Sequence, residues 1–124
     1  MADPDFSNIK HFTRQELACK CGCGLCNTRQ SSLERLERAR VRAGVGFAIN
    51  SACRCPQHNI AEGGKPNGAH PNGTAFDIEA KDSRTRFQVV AACLAEGFHR
   101  VGIGKTFVHV DDDEALPPNV VWLY

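Results

Sequence analysis

The chain has 124 residues, 42% hydrophobic and 23% charged, with 15 basic and 14 acidic side chains and a formal net charge of +1. That length suits one domain around one hydrophobic core, and the near-balance of charge excludes a protein-wide field for nucleic acid or an anionic membrane. No segment approaches the roughly 18 consecutive apolar residues of a membrane span, and Met1-Ala-Asp-Pro-Asp5 lacks the basic-then-apolar pattern of a signal peptide. Seven cysteines are the oddity, since an odd number excludes complete internal pairing. Without a signal peptide the expectation is reduced thiols, some of them on metal.

In chain order, His11–Glu16 precedes a cysteine-glycine knot, Cys19-Lys-Cys-Gly-Cys-Gly-Leu-Cys26, too short and glycine-rich for a regular element. Ser31 and Glu34 form a capping-box pattern that predicts a helix start, with Leu33, Leu36 and Val41 as its apolar face and Gly44 as its stop. Gly46–Ser51 reads as a strand, and Pro56 opens a helical turn to about Ala61. Glu62–Thr74, punctuated by glycine and proline, is a long loop, and such loops are often functional. A strand over Ala75–Ala80 follows, then a helix over Ser83–Glu96 built on Phe87, Val90, Ala91 and Leu94. Strands are predicted at Arg100–Ile103 and Phe107–Asp111, and the apolar tail Val120–Tyr124 pairs or packs at the end. Helices and strands that do not alternate strictly predict an α+β fold. The expectation is a single small domain over 1–124, a central antiparallel sheet flanked by helices, and the Cys/Gly-rich segment 19–26 packed onto it.

Period-two alternation sorts the side chains of two strands onto faces. Phe76, Ile78, Val108 and Val110 point to the core, so Asp77 and His109 point the other way, and His70 comes from the long loop. Two imidazoles and a carboxylate are the ligand set of many catalytic zinc sites, with a fourth position left for water. Zinc lowers the pKa of that water to about 7 and polarises a carbonyl. A solvent-exposed polar face produces the same alternation, so the pattern alone leaves both readings open.

Ser51-Ala-Cys-Arg54-Cys-Pro-Gln-His-Asn59, then His70-x-x-Gly73-x-Ala75-x-Asp77, then Phe107-Val-His109-Val-Asp111 resemble, in order and spacing, the zinc D-Ala-D-Ala carboxypeptidases and L-alanyl-D-glutamate endopeptidases. The resemblance runs from about Phe12 to Tyr124 and is greatest to the small phage and bacterial branch that cleaves murein peptides. It implies His70, Asp77 and His109 as ligands of one catalytic Zn2+. It also implies Arg54 beside the metal, holding a substrate carboxylate or the oxyanion of the tetrahedral intermediate. The sequence departs from the family at Gly68, where a serine is usual, at Ala52-Cys53, where Gly-Tyr is common, and at Thr106, where many relatives carry the acidic general base. Asp111, on the face of His109, is the first candidate for that base, or else a partner that orients His109. Asp112, Asp113 and Glu114 are weaker candidates, and Trp122 reads as a packing anchor.

Cys19, Cys21, Cys23 and Cys26, with Cys53 and Cys55, offer thiolates for a second, structural zinc or, outside the cell, for disulfides. Cys93 reads as a small buried hydrophobe. The function expected is hydrolysis of a peptide bond in the peptidoglycan stem or cross-link by a monomer with no nucleic-acid partner and no membrane insertion. The setting expected is synthesis in the cytoplasm and action on the wall after release, as a phage endolysin, or from within a virion. The alternative is an inactive murein-binding or virion structural module of the same fold. A zinc-finger-like nucleic-acid binder is disfavoured by the balanced charge.

Overall fold

In the computed structural model, which describes residues 3–124, the apolar residues of helices and strands meet in one cluster. Met1 and Ala2, part of the acidic N-terminal pentapeptide, lie outside the described residues. The elements in chain order are α1 (Arg14–Leu17), α2 (Gln30–Ala43), β1 (Ile49–Ser51), α3 (Pro56–Ala61), β2 (Ala75–Glu79), α4 (Ser83–Ala95), β3 (Arg100–Ile103), β4 (Phe107–Asp111) and β5 (Val120–Leu123). No helix among the described residues is long and apolar enough to cross a membrane.

Helix α1 is a single turn closed by a reciprocal capping box between Thr13 and Glu16. Its buried Leu17 anchors the N-terminal segment, and the Leu17 carbonyl accepts from the Cys53 amide at 3.1 Å. Helix α2 ends at Gly44 in the left-handed conformation, as expected, but starts before the predicted Ser31 cap. Its N-cap is Arg29, whose donor-only side chain offers no cap, and the Arg29 amide donates instead to the Gly73 carbonyl of the long loop at 2.9 Å. Docking to that loop, rather than local capping chemistry, sets where the helix begins.

The expected core face of α4 is also corrected. Val89, Ala92 and Cys93 are buried, whereas Phe87 is 72% and Leu94 44% exposed. Helical periodicity puts Phe87 and Leu94 on the far side from Val89. The small side chains of Ala92 and Cys93 let α4 lie close against α2 and β4, and burial pushes the Cys93 thiol up to about 12. On α2, Leu33, Leu36 and Ala39 are buried, while Val41 faces solvent.

The sheet has five strands in the order β1-β2-β4-β3-β5. Its first four strands pair antiparallel, but β5 runs parallel to β3, so the sheet is mixed rather than wholly antiparallel. The reason lies in the end pairings, for Arg100 stands opposite both Asp111, the last residue of β4, and Val120, the first of β5. The chain therefore leaves β4 beside the start of β3 and rounds that end of the sheet through 112–119. Phe76, Ile78, Val101, Val108 and Val110 are fully buried on the face toward α2 and α4. The opposite face carries the site.

Candidate metal centre

Strand register places one row of side chains across the whole sheet: Ser51 opposite Asp77, Asp77 opposite His109, His109 opposite Gly102, and Gly102 opposite Trp122. The register shifts between Ile49 and Ser51, so these two, despite equal parity, pair with Ile78 and Asp77, which face opposite ways. A bulge thus re-aims Ser51 onto the site face. Gly102 is required at the row's fourth position, because a Cβ there would lie 2.6 Å from the Trp122 ring. Its absence of side chain lets Trp122 and His109 approach to 5.4 Å between ring centroids.

His70 reaches the row from the loop between α3 and β2. Asn59 is buried and holds that loop through Nδ2 to the Lys65 carbonyl at 2.9 Å. Gly64 packs so closely on Asn59 that an added Cβ would fall 2.2 Å from its Oδ1. At the other end Gly73, with φ 76°, abuts the Asn27 backbone, and its amide donates to the His70 carbonyl at 3.1 Å. Asp113 accepts from Asn72 at 2.8 Å and Thr74 at 3.1 Å, tying the loop to the end of β4. The glycines and Asn59 of the family-like strings therefore act as hinges and anchors for His70.

One ligand atom each from His70, Asp77 and His109 lies within 4.8 Å of the other two, and all three residues are buried. The donor set suits a metal because each imidazole has its other nitrogen committed. His70 Nδ1 faces the Ala52 carbonyl at 2.8 Å, which leaves Nε2, 3.2 Å from Asp77, as the nitrogen on the side of the cluster. His109 Nε2 donates to Asp111 at 2.6 Å, which leaves Nδ1 facing Asp77 at 3.0 Å. This is the arrangement in which hydrogen bonds fix tautomer and ring orientation in histidine metal sites. The Ala52 carbonyl holds His70 directly, so Gly68 in place of serine leaves no ligand unsupported.

Burial opposes ionisation of Asp77, but hydrogen bonds from His109 and His70 outweigh it and hold the carboxyl well below the usual carboxylate range. Burial likewise disfavours the His109 imidazolium, and the Asp111 and Asp77 carboxylates outweigh that and raise its pKa. The stability contributed by Asp77 is thus present above the unfolded carboxylate value of about 3.9 and is lost only as pH falls through its depressed folded value. That of His109 is fully present below about 6.5 and is lost as pH rises through its raised folded value. Chelator-treated protein is expected to lose melting temperature as pH rises above about 6.5, with the slope flattened in His109→Gln. A wild-type profile that is level through neutral pH would contradict this electrostatic reading.

Arg54 stands beside the cluster, its Nε donating to Ser51 Oγ at 3.1 Å and its NH2 nitrogen to Asp77 Oδ2 at 3.3 Å. Asp111 is fully buried, and both its oxygens are engaged: Oδ1 by Arg100 Nε at 2.9 Å and the Asp113 amide at 3.2 Å, Oδ2 by His109. Asp112 turns away to Ser32 and Arg35, at 2.7 Å each. Thr106 is exposed in the β3–β4 turn. Cys19, Cys21, Cys23 and Cys55 gather into a second cluster, but Cys26 and Cys53 do not join it. Both are buried instead, with the Cys53 thiol 3.1 Å from Thr28 Oγ1.

An open groove of about 1200 Å³ runs over the row, and His70, Asp77, His109 and Arg54 line it. Sequence reasoning did not single out Arg100, Phe107 and Tyr124 as its walls, and it read Trp122 as a packing anchor. Trp122 does pack, but on the site: Arg100 stacks on its ring at 5.2 Å. The signal available was parity, since Phe107 and His109 alternate with the core valines of β4.

No curated protein matches the chain. The family model described as Peptidase M15 matches residues 10–111, which hold the cysteine knot, Arg54, the His70 loop and strands β1–β4. That span covers most of the sequence and bears out the resemblance read from the motifs: the chain belongs to the peptidase M15 family of zinc-dependent metallopeptidases.

Proposed function

We propose that the protein hydrolyses a peptide bond in the peptidoglycan stem peptide or its cross-link, with His70, Asp77 and His109 holding the catalytic Zn2+. The observation that carries this reading is the convergence of two imidazole nitrogens and one carboxylate beside Arg54 on the wall of one groove. Zinc in that position supplies a Lewis acid for the scissile carbonyl and acidifies the attacking water. Arg54, prealigned by Ser51 and Asp77, presents fixed positive charge to a substrate carboxylate or to the developing oxyanion. Trp122, Phe107 and Tyr124 form an apolar wall for the stem peptide's short side chains. Asp111 acts as a positioning residue that keeps the Nε2 proton on His109. Of the carboxylates lining the groove, Asp77 and Asp111 are engaged in this way. The third, Glu62, is half exposed and lies 3.5 Å from His58.

The test is zinc-loaded full chain on purified peptidoglycan, with newly exposed amines quantified and the products identified by mass spectrometry. Wild type is expected to release amines, and His70→Ala to release none above background. Wild type that binds zinc and murein but exposes no amine would replace the enzyme reading with that of an inactive wall-binding module.

A further inference from the structure

Outside the groove, four cysteines converge without any role in the chemistry above. One Sγ from each of Cys19, Cys21, Cys23 and Cys55 lies within 4.8 Å of the others. Cys19 and Cys21 sulfurs are 3.4 Å apart and those of Cys21 and Cys55 3.6 Å. A tetrahedral zinc with Zn–S bonds of about 2.3 Å sets its sulfurs about 3.8 Å apart. The observed separations are close to that edge length and far beyond a disulfide bond of about 2.05 Å. All four thiols are free.

The surroundings favour thiolates held in place over thiols packed as apolar filler. Cys21 and Cys23 are exposed, unlike the buried Cys26, Cys53 and Cys93, so burial does not explain their convergence. Backbone amides point at two of the sulfurs, Cys55 N at Cys19 Sγ and His58 N at Cys55 Sγ, both at 3.4 Å. Such outer hydrogen bonds orient metal ligands. The alternation of cysteine with Lys20 and Gly22 is made possible by a tight turn, in which the Gly22 amide bonds the Cys19 carbonyl at 3.3 Å and Gly22 takes φ 89°. A left-handed residue here lets three cysteines of one short knot face a single point.

We infer that Cys19, Cys21, Cys23 and Cys55 form a structural tetrathiolate zinc site that clamps the N-terminal knot to the segment carrying Arg54. Four soft sulfurs within 4.8 Å of one another can fill a tetrahedral shell, leave no open position for water and so select a structural role. The knot has little regular structure of its own, α1 being four residues long, so a metal crosslink contributes the stability that its core does not. Cys55 directly follows Arg54 and caps α3, so the clamp also fixes the backbone from which the arginine reaches Asp77.

The inference is independent of the catalytic reading and is tested on the full chain purified under reducing conditions. Zinc is counted per chain for wild type, His70→Ala and the double variant Cys21→Ser/Cys23→Ser, both serines replacing exposed side chains. One equivalent is expected to persist in His70→Ala and to be lost in the double variant. Cobalt-exchanged wild type and His70→Ala are expected to show the intense near-ultraviolet thiolate-to-cobalt charge transfer that the His-Asp-His site cannot produce. No charge-transfer band in cobalt-exchanged wild type, or a disulfide joining any two of the four cysteines in peptide maps of the purified protein, would overturn the assignment. Loss of all zinc in His70→Ala would do the same, whereas an inactive wild type that keeps the cysteine-bound equivalent would leave this site standing and sink only the peptidase proposal.

Discussion

Asp77→Ala is expected to lose the groove's metal and with it roughly a thousandfold or more of the peptidase rate. Metal polarisation is worth several kcal/mol in the transition state, and each 1.36 kcal/mol is tenfold. Asp77 has the largest effect because it sits between three cationic or donating groups: its Oδ1 faces both His70 and His109, and its Oδ2 faces Arg54. Removing it leaves the partly buried Arg54 guanidinium without its carboxylate, a change that costs less than the ~3–5 kcal/mol of fully buried pairs. Asp77→Asn keeps the volume and separates the two effects, since it is expected to fold better than the alanine variant while remaining nearly as inactive. Elemental analysis and amine release, measured together, check this. Wild-type rate and zinc content in Asp77→Asn would exclude the three-ligand site.

The second large effect is expected at Asp111, where the two roles open to that residue predict different results. Asp111 is completely buried, and His109, Arg100 and the Asp113 amide converge on it. As a positioning residue, its replacement in Asp111→Asn lowers zinc affinity about 10–100-fold, the usual cost of losing an outer partner of a metal-bound histidine. Much of the activity then returns at saturating zinc. As a general base, its loss leaves zinc affinity unchanged and lowers kcat at every zinc concentration. Zinc titrations of binding and of rate on the same variant decide between the two, and the occupied lone pairs of Asp111 favour the first. Asp111→Ala is expected to fold poorly as well, because Arg100 is left unpaired between Trp122 and the sheet.

The helices and strands around the core were legible where the pattern was strong and local. Val108 and Val110 alternate with His109 and Asp111, and the structure buries the valines as that alternation requires. The helix stop at Gly44 and the strand at Ala75 needed no tertiary information. Three expectations failed for reasons that are not local. Helix α2 starts where the loop carrying Gly73 docks, not where Ser31 offers a cap. Helix α4 buries Val89, Ala92 and Cys93 because the space against α2 admits small residues, and its largest apolar side chain, Phe87, is left outside. Strand β5 is parallel because the chain rounds the end of the sheet beside Arg100, a matter of where β4 ends in space.

The site divides in the same way. His70, Asp77 and His109 could be picked out as candidate ligands from residue type and strand alternation, and Arg54 from the family resemblance of the string that carries it. The sequence by itself thus supplied the candidate ligand types and determined the two core-facing strands. Only the tertiary structure decided that Ser51, Asp77, His109, Gly102 and Trp122 share one row, because register is a property of paired strands and a bulge in β1 breaks parity. It also decided which cysteines gather, since Cys55 meets the knot across the fold while the nearer Cys26 turns into the core.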